Sequence, residues 1–400
     1  MLMGKESNLR RIESVDLFYL SMPHITTEGD GSQDALLVRV TSGGLVGWGE
    51  CEASPLVSIA AFVCPMSHGA CRPVGASVLG HRLEDPADIE NIAAQIELHS
   101  MDLLQAPHTW SGVEMALWDL LGKALSEPVW RLLGYAQAHR KLPYASQLFG
   151  DSPQQTYARA LKVRQHGYRA VKFGWGPIGK NLKDDLEHFA AAREGLGSDG
   201  MLMVDFGQIF GHDIDAAASR LNGLEQAETV WIEEPFHTYA LAEYANLARL
   251  SRSVPMAGGE GAHHPAMARN LIDYGGVGFI QVDCGRIGGI GPAKRVADYA
   301  NSRGVTYVNH TFTSHLALSA SLQPYAGLRD HQLCEYPVAL KPLARELTSN
   351  HLERDDDGFI ALPEAPGLGM TVDTEAATRY LVEVEIRVGS QSLAPAGSLQ

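Results

Sequence analysis

Apolar residues recur at alternate positions in two early stretches, Val15-Leu17-Tyr19 and Leu36-Val38-Val40. That period predicts strands with one buried face. Ser42-Gly43-Gly44 supplies a turn ahead of a further run, VGWGEC. Between the first two strands lies a polar loop, His24 to Asp34, with two glycines and no periodicity. A loop of that length inside a compact domain is either functional or disordered. Residues 86–134 switch to helical spacing. Val113, Ala116, Leu117, Leu120 and Leu121 follow Ser111, and Ser111 with Glu114 forms a capping-box pattern that predicts a helix start. Gly134 is expected to end the helix that follows.

From about residue 141 short apolar runs alternate with helical stretches, the pattern of βα units around a parallel sheet. The runs end near Gln147, Phe173, Asp205, Glu233, Glu260, Asp283, His310 and Glu335. Eight strands over this length suit a barrel. A doubly wound open sheet is the alternative, but no glycine-rich nucleotide-binding turn follows the first strand. After about residue 340 the chain is rich in Pro and charge, PEAPGLGM reads as loop, and a polar tail begins near Ser390. The expected fold is α/β, with residues 1–140 as an α+β capping domain, 141–340 as the barrel and 341–400 packing back on the cap.

Composition narrows the function. At 45% hydrophobic residues the 400-residue chain can bury a large core. A formal net charge of −15 with no basic stripe argues against nucleic acid. An anionic substrate remains compatible, because a metal and local Lys or Arg can reverse the potential inside a pocket. The odd set of cysteines, Cys51, Cys64, Cys71, Cys284 and Cys334, has no disulfide-framework spacing and predicts reduced thiols. Cys64 and Cys71 lack a second Cys/His pair at zinc-site spacing. The opening MLMGKESNLRRIES has no apolar leader, and no apolar run is long enough to span a bilayer. A cytoplasmic protein without membrane partners is expected.

The chemistry lies in what ends the strands. Asp205, Glu233, Glu260 and Asp283 follow one another at intervals of one βα unit. Strand ends converge at the C-terminal mouth of a barrel. A single acid there is commonly a helix N-cap, but carboxylates repeated over consecutive strands repel unless a cation joins them. Hard oxygen ligands on rigid strands suit Mg²⁺.

Taken in order, VGWGEC, SGVEMALWDLLGKAL, AVKFG, MVDFGQ, WIEEP, GGE, DCGRIGGIG, VNH and PGLGM resemble the enolase superfamily, specifically its mandelate racemase subgroup. The ordered set covers the chain from Leu45 to Met370. The resemblance implies a (β/α)7β barrel, a modified TIM barrel, with one Mg²⁺ per subunit held by Asp205, Glu233 and Glu260, while Glu234 points elsewhere. It makes His310 the base, Asp283 its partner, Lys172 the contact to a substrate carboxylate, Glu335 an acid on that carboxylate's other side, and Ser146 a substrate contact. It also implies a homo-oligomer and a small carboxylate substrate.

Two positions depart from the family pattern. Gly174 stands where the second Lys of a Lys-x-Lys motif serves the opposite face of the α-carbon in racemases, and Gly207 replaces a polar residue. With one evident base, the resemblance implies syn dehydration of a sugar acid to a 2-keto-3-deoxy acid. A racemase or epimerase using His212 is the alternative, and a non-catalytic metal-binding relative the more remote one. His24 in the long loop, His212, and His263 after Glu260 are further candidates for substrate contacts. His315, near His310, is the competing strand-end histidine.

Overall fold

The computed structural model describes residues 11–52, 54–394 and 399. The opening stretch, read above for a leader, lies outside the described residues up to Arg10. Among the described residues, no helix is long and apolar enough to cross a membrane.

The first layer is an antiparallel sheet of β1 (Ser14–Ser21), β2 (Asp34–Ser42) and β3 (Leu45–Cys51), covered by α1 (Pro55–Val63), α2 (Pro86–His99) and α3 (Ala106–Leu125). Leu36, Val38 and Val40 lie in the core as expected, but in β1 the buried side chains are Phe18 and Leu20, and the alternating Val15, Leu17 and Tyr19 stay half-buried on the other face. α3 lies against β3 and is buried from Thr109 to Gly122. It begins at Ala106, with Pro107 in its first turn, so Ser111 is inside the helix and does not cap it. The Ser111 hydroxyl bonds back to the Pro107 carbonyl (2.7 Å). The capping-box reading fails because Pro107 opens the helix one turn earlier.

Eight parallel strands follow: β4 (Leu142–Leu148), β5 (Ala170–Gly174), β6 (Met201–Asp205), β7 (Thr229–Glu233), β8 (Met256–Gly258), β9 (Phe279–Asp283), β10 (Thr306–His310) and β11 (Leu333–Pro337). The sheet order is β10-β9-β8-β7-β6-β5-β4-β11, with a helical connection between each consecutive pair. β10 and β11 lie against each other, so the sheet is a nearly closed barrel. The Asn309 carboxamide stitches that seam, its oxygen accepting the Glu335 N–H (3.0 Å). The fold is thus the expected (β/α)7β barrel with an α+β cap. The chain then returns to the first layer, where β12 (Leu381–Val382) pairs with β1.

Strand periodicity positions the chemistry. Tyr144, Ala170, Met203, Trp231 and Val308 form a plug inside the barrel. Side chains alternate faces along a strand. Two residues further along stand Ser146, Lys172, Asp205, Glu233 and His310, one layer higher on the same inner face. The intervening Ala145, Val171, Val204 and Ile232 belong to the core beneath the helices.

Candidate active site

The inner layer at the C-terminal mouth brings together carboxylates from successive strands. One oxygen each of Asp205, Glu233 and Glu260 lie within 4.8 Å of one another. Asp205 and Glu233 end β6 and β7, whereas β8 stops at Gly258 and Gly259, at φ 125°, turns the chain before Glu260. Burial, then the neighbouring Glu233 charge, pushes the Asp205 pKa well up. Burial also raises that of Glu233, against the pull of Lys172. Glu260 behaves oppositely. Burial would raise it, but His310, Arg286 and Lys172 hold it down at about 2. Close hard oxygens that resist sharing negative charge fit a divalent cation.

Lys172 is buried, with Nζ 2.6 Å from Glu233 Oε1, 2.8 Å from Glu335 Oε1 and 3.7 Å from Asp205 Oδ2. Burial works against its charge, but Glu233 and Glu335 more than offset that and raise its pKa well above the usual lysine value. Glu335 accepts from Ser146 Oγ (2.7 Å), Lys172 and the Thr311 N–H (2.8 Å), so both its oxygens act here as acceptors.

His310 ends β10 opposite Asp283 in the β9 register. Its Nδ1 lies 2.7 Å from Asp283 Oδ2, and Asp283 Oδ1 accepts the Gly285 N–H (2.6 Å). Asp283 therefore orients the ring, and Nε2 is left for the cavity, 3.1 Å from Glu260 Oε2. Burial would lower the His310 pKa, but Glu260, Glu335 and the Asp283 bond raise it to about 10. A cation held by Glu260 would weaken the largest of those raising effects.

The Lys172, Asp205, Glu260, His310 and Glu335 side chains line one cavity of about 260 Å³, with Ser146 beside them. The three histidines expected to contact substrate, His24, His212 and His263, do not line it. His24 is exposed on the long loop, whose Gly29–Gly31 segment reaches the cavity instead. His212 faces outward with Nδ1 2.7 Å from Glu243. His263 pairs with His108 of α3 (2.8 Å). Glu234 turns away at φ 39° and accepts from Gln208 (2.7 Å). His315 begins a separate helix, where it accepts the Leu352 N–H and stacks on His351.

Among the cavity residues that sequence reasoning missed are Arg286, Glu52 and Trp175. Arg286 spans the layers, with Nη2 2.9 Å from Glu52 Oε1 and Nη1 3.2 Å from Glu260 Oε1. Glu52 follows β3 and reaches the barrel mouth from the cap. Trp175 follows β5 directly. Arg286 stands in the quoted DCGRIGGIG run and was legible as a charge beside the Asp283 strand end. Nothing local marked the other two.

Comparison with known proteins supports the enolase-like assignment. Residues 19–134 match the mandelate racemase/muconate lactonizing enzyme N-terminal domain, and residues 155–377 match the enolase C-terminal domain-like family. A crystal structure described as a predicted mandelate racemase from Rhodobacter sphaeroides shares 62% identity at a TM-score of 0.93, covering 97% of this chain and 100% of that one. The D-galactonate dehydratase of Xanthomonas oryzae pv. oryzae is 29% identical over 385 residues, 90% of this chain and 94% of its own length. The D-galactarolactone cycloisomerase of Agrobacterium fabrum is 27% identical over 356 residues, 84% of this chain and 88% of its own.

Proposed function

Because this chain belongs to the mandelate racemase/muconate lactonizing enzyme family of enolase-like proteins, we propose that it is a Mg²⁺-dependent acid-sugar dehydratase. It removes the α-proton of a polyhydroxy carboxylate and expels the β-hydroxyl as water, leaving a 2-keto-3-deoxy acid. The observation that carries this reading is at Gly174. A Cβ there would lie 2.8 Å from Asp205 Oδ2, so a side chain at this position would have to displace that carboxylate, and the strand end across the mouth from His310 carries no second base.

Mg²⁺ held by Asp205, Glu233 and Glu260 would supply positive charge beside the substrate carboxylate. Lys172 supplies a second, buried positive charge where negative charge develops. His310 Nε2 takes the α-proton, and Asp283 supports the imidazolium that results. The same Nε2–H then protonates the departing β-hydroxyl, so both steps occur on one face. The enol that remains picks up a proton at C3 as it becomes the keto acid.

The test uses aldonates and aldarates of four to six carbons in D₂O. Keto acid should form with added Mg²⁺ and cease after EDTA. His310→Asn should lose keto-acid formation and α-proton exchange by at least about 10³-fold, while Mg²⁺-dependent binding persists. Exchange without keto acid in the wild type would make the protein a racemase or epimerase. Binding with neither would make it a non-catalytic relative.

A further inference from the structure

Trp175 has no part in the mechanism above, yet the fold holds it at some cost. Its φ is 55°, in the left-handed region that a bulky side chain rarely adopts. Strain of this kind persists where the surroundings enforce it and concentrates at functional sites. The surroundings here are two bare stretches of backbone. A Cβ at Gly29 would lie 2.7 Å from indole Cδ2, and a Cβ at Gly207 would lie 2.8 Å from Cε2. Gly29 belongs to the long loop over the mouth. Gly207 follows the first strand-end carboxylate, and its N–H donates to Asp205 Oδ1 (2.8 Å). The indole therefore seats the loop against the segment that positions Asp205.

Trp175 also lines the reaction cavity while remaining 46% exposed. It follows β5, and β10 carries His310. Around the barrel the order is β10, β11, β4, β5, so the indole stands well across the mouth from His310. This wall offers a large apolar surface and no group that exchanges protons.

We infer that Trp175 is a specificity-determining residue. Its indole, seated between the Gly29 loop and Gly207, forms the wall against which the substrate's carbon chain lies on the side away from His310. A hydroxyl turned toward the carbon face of that ring would lose its water and find no partner there, the one polar group being the Nε1–H at the ring edge, whereas a C–H face would pack on it. The accepted acids are those whose hydroxyls beyond C3 point away from the wall, so the residue selects among epimers. The identity of the ligand as a sugar acid rests on the proposed reaction.

Trp175→Gly removes the ring and relieves the left-handed strain, so it should fold at least as well, which thermal melting checks. Trp175→Phe keeps an aromatic wall. The panel is again aldonates and aldarates of four to six carbons, with Mg²⁺ present. With Trp175→Gly we expect KM for the best substrate to rise about tenfold and discrimination between C4 and C5 epimers to fall about tenfold. The rate of α-proton exchange at saturation should stay within about threefold, and Trp175→Phe should keep most of the discrimination. Unchanged KM and epimer preference in Trp175→Gly overturn the inference, as does a loss confined to kcat. Calorimetric binding separates the two ideas. Binding without turnover by the wild type defeats the proposed reaction alone, and the epimer comparison is then read on Kd. No binding of any member of the panel defeats both.

Discussion

Under the proposed reaction, Gly174 is where a single missing side chain sets the chemistry. It pairs in register with Asp205 on the next strand, so its missing Cβ leaves room for a carboxylate that the proposed function assigns to a cation. Gly174→Ala forces contact with Asp205 Oδ2, while the Gly207 N–H holds the other carboxylate oxygen, Oδ1. Overpacking at such a site costs about 1–3 kcal/mol. If that falls on Asp205, Mg²⁺ binding should weaken by about tenfold to a hundredfold. Calorimetric titration with Mg²⁺ measures this, and an unchanged Kd would show that the loop after β6 relaxes instead. His310 and His315 make a parallel point. Five residues apart in sequence, one ends a strand inside the barrel and the other starts a helix outside it. Only the strand boundary separates their roles.

At the scale of elements, what could be read from the sequence was what is local. β5, β6, β7 and β10 read as short apolar runs, and the polar residue at or near the end of each marks Lys172, Asp205, Glu233 and His310, which the period-two geometry of the strands then sets in one inward layer. The contacts that escaped join segments far apart in the chain. Ser111 and Glu114 carry a helix-start signature but serve the N-terminus of another helix. Ser111 Oγ accepts the Gly288 N–H (2.9 Å), and Glu114 accepts the Ile290 and Gly291 N–H groups (2.7 and 2.8 Å) and the Trp118 indole N–H (2.7 Å). They thereby fasten α3 to helix Ile290–Ser302 of the barrel. His24, His212 and His263 had suitable chemistry, but loop geometry turned each away from the cavity. Glu114 gives the test at this scale. Glu114→Gln presents an amide N–H₂ to backbone donors and should destabilise by about 1–3 kcal/mol. Burial pushes the Glu114 pKa up to about 7 despite its donors. The folded pKa lies above the unfolded value, so its stabilisation is complete below the ordinary glutamate range and is lost as pH rises through 7. The urea stability gap between wild type and Glu114→Gln should therefore widen from pH 8 to pH 5. A gap that narrows over that range would mean the helix N-terminus holds the carboxylate charged.

At the scale of the whole molecule, a chain of net charge −15 must admit an anion under the proposed reaction. The distribution of charge suggests the way in. A groove of about 800 Å³ runs beside the cavity and shares with it Asp30, Gln147, Leu148 and Phe312. Its lining carries Arg159, Lys162, Lys341, Arg345 and Arg354. Some of this charge is spent. Lys341 sits 3.4 Å from both Glu28 and Asp30, and Arg159 bonds the Leu148 and Phe149 carbonyls. Lys162 and Arg345 are exposed on the groove walls. At about 10 Å two unit charges in water interact by about 0.4 kcal/mol. Reversing both cations alters four unit charges, so an approaching carboxylate loses about 1.7 kcal/mol before screening. Salt at 0.1 M, with a Debye length of about 10 Å, removes much of that. Lys162→Glu/Arg345→Glu should thus lower kcat/KM several-fold at low ionic strength and converge with the wild type in about 0.5 M salt. The kcat value should not move, because neither side chain lines the reaction cavity. A deficit in kcat/KM that persists at high salt would mean that these side chains bind the substrate directly, and an unchanged kcat/KM at low salt would place the entry path elsewhere on the mouth.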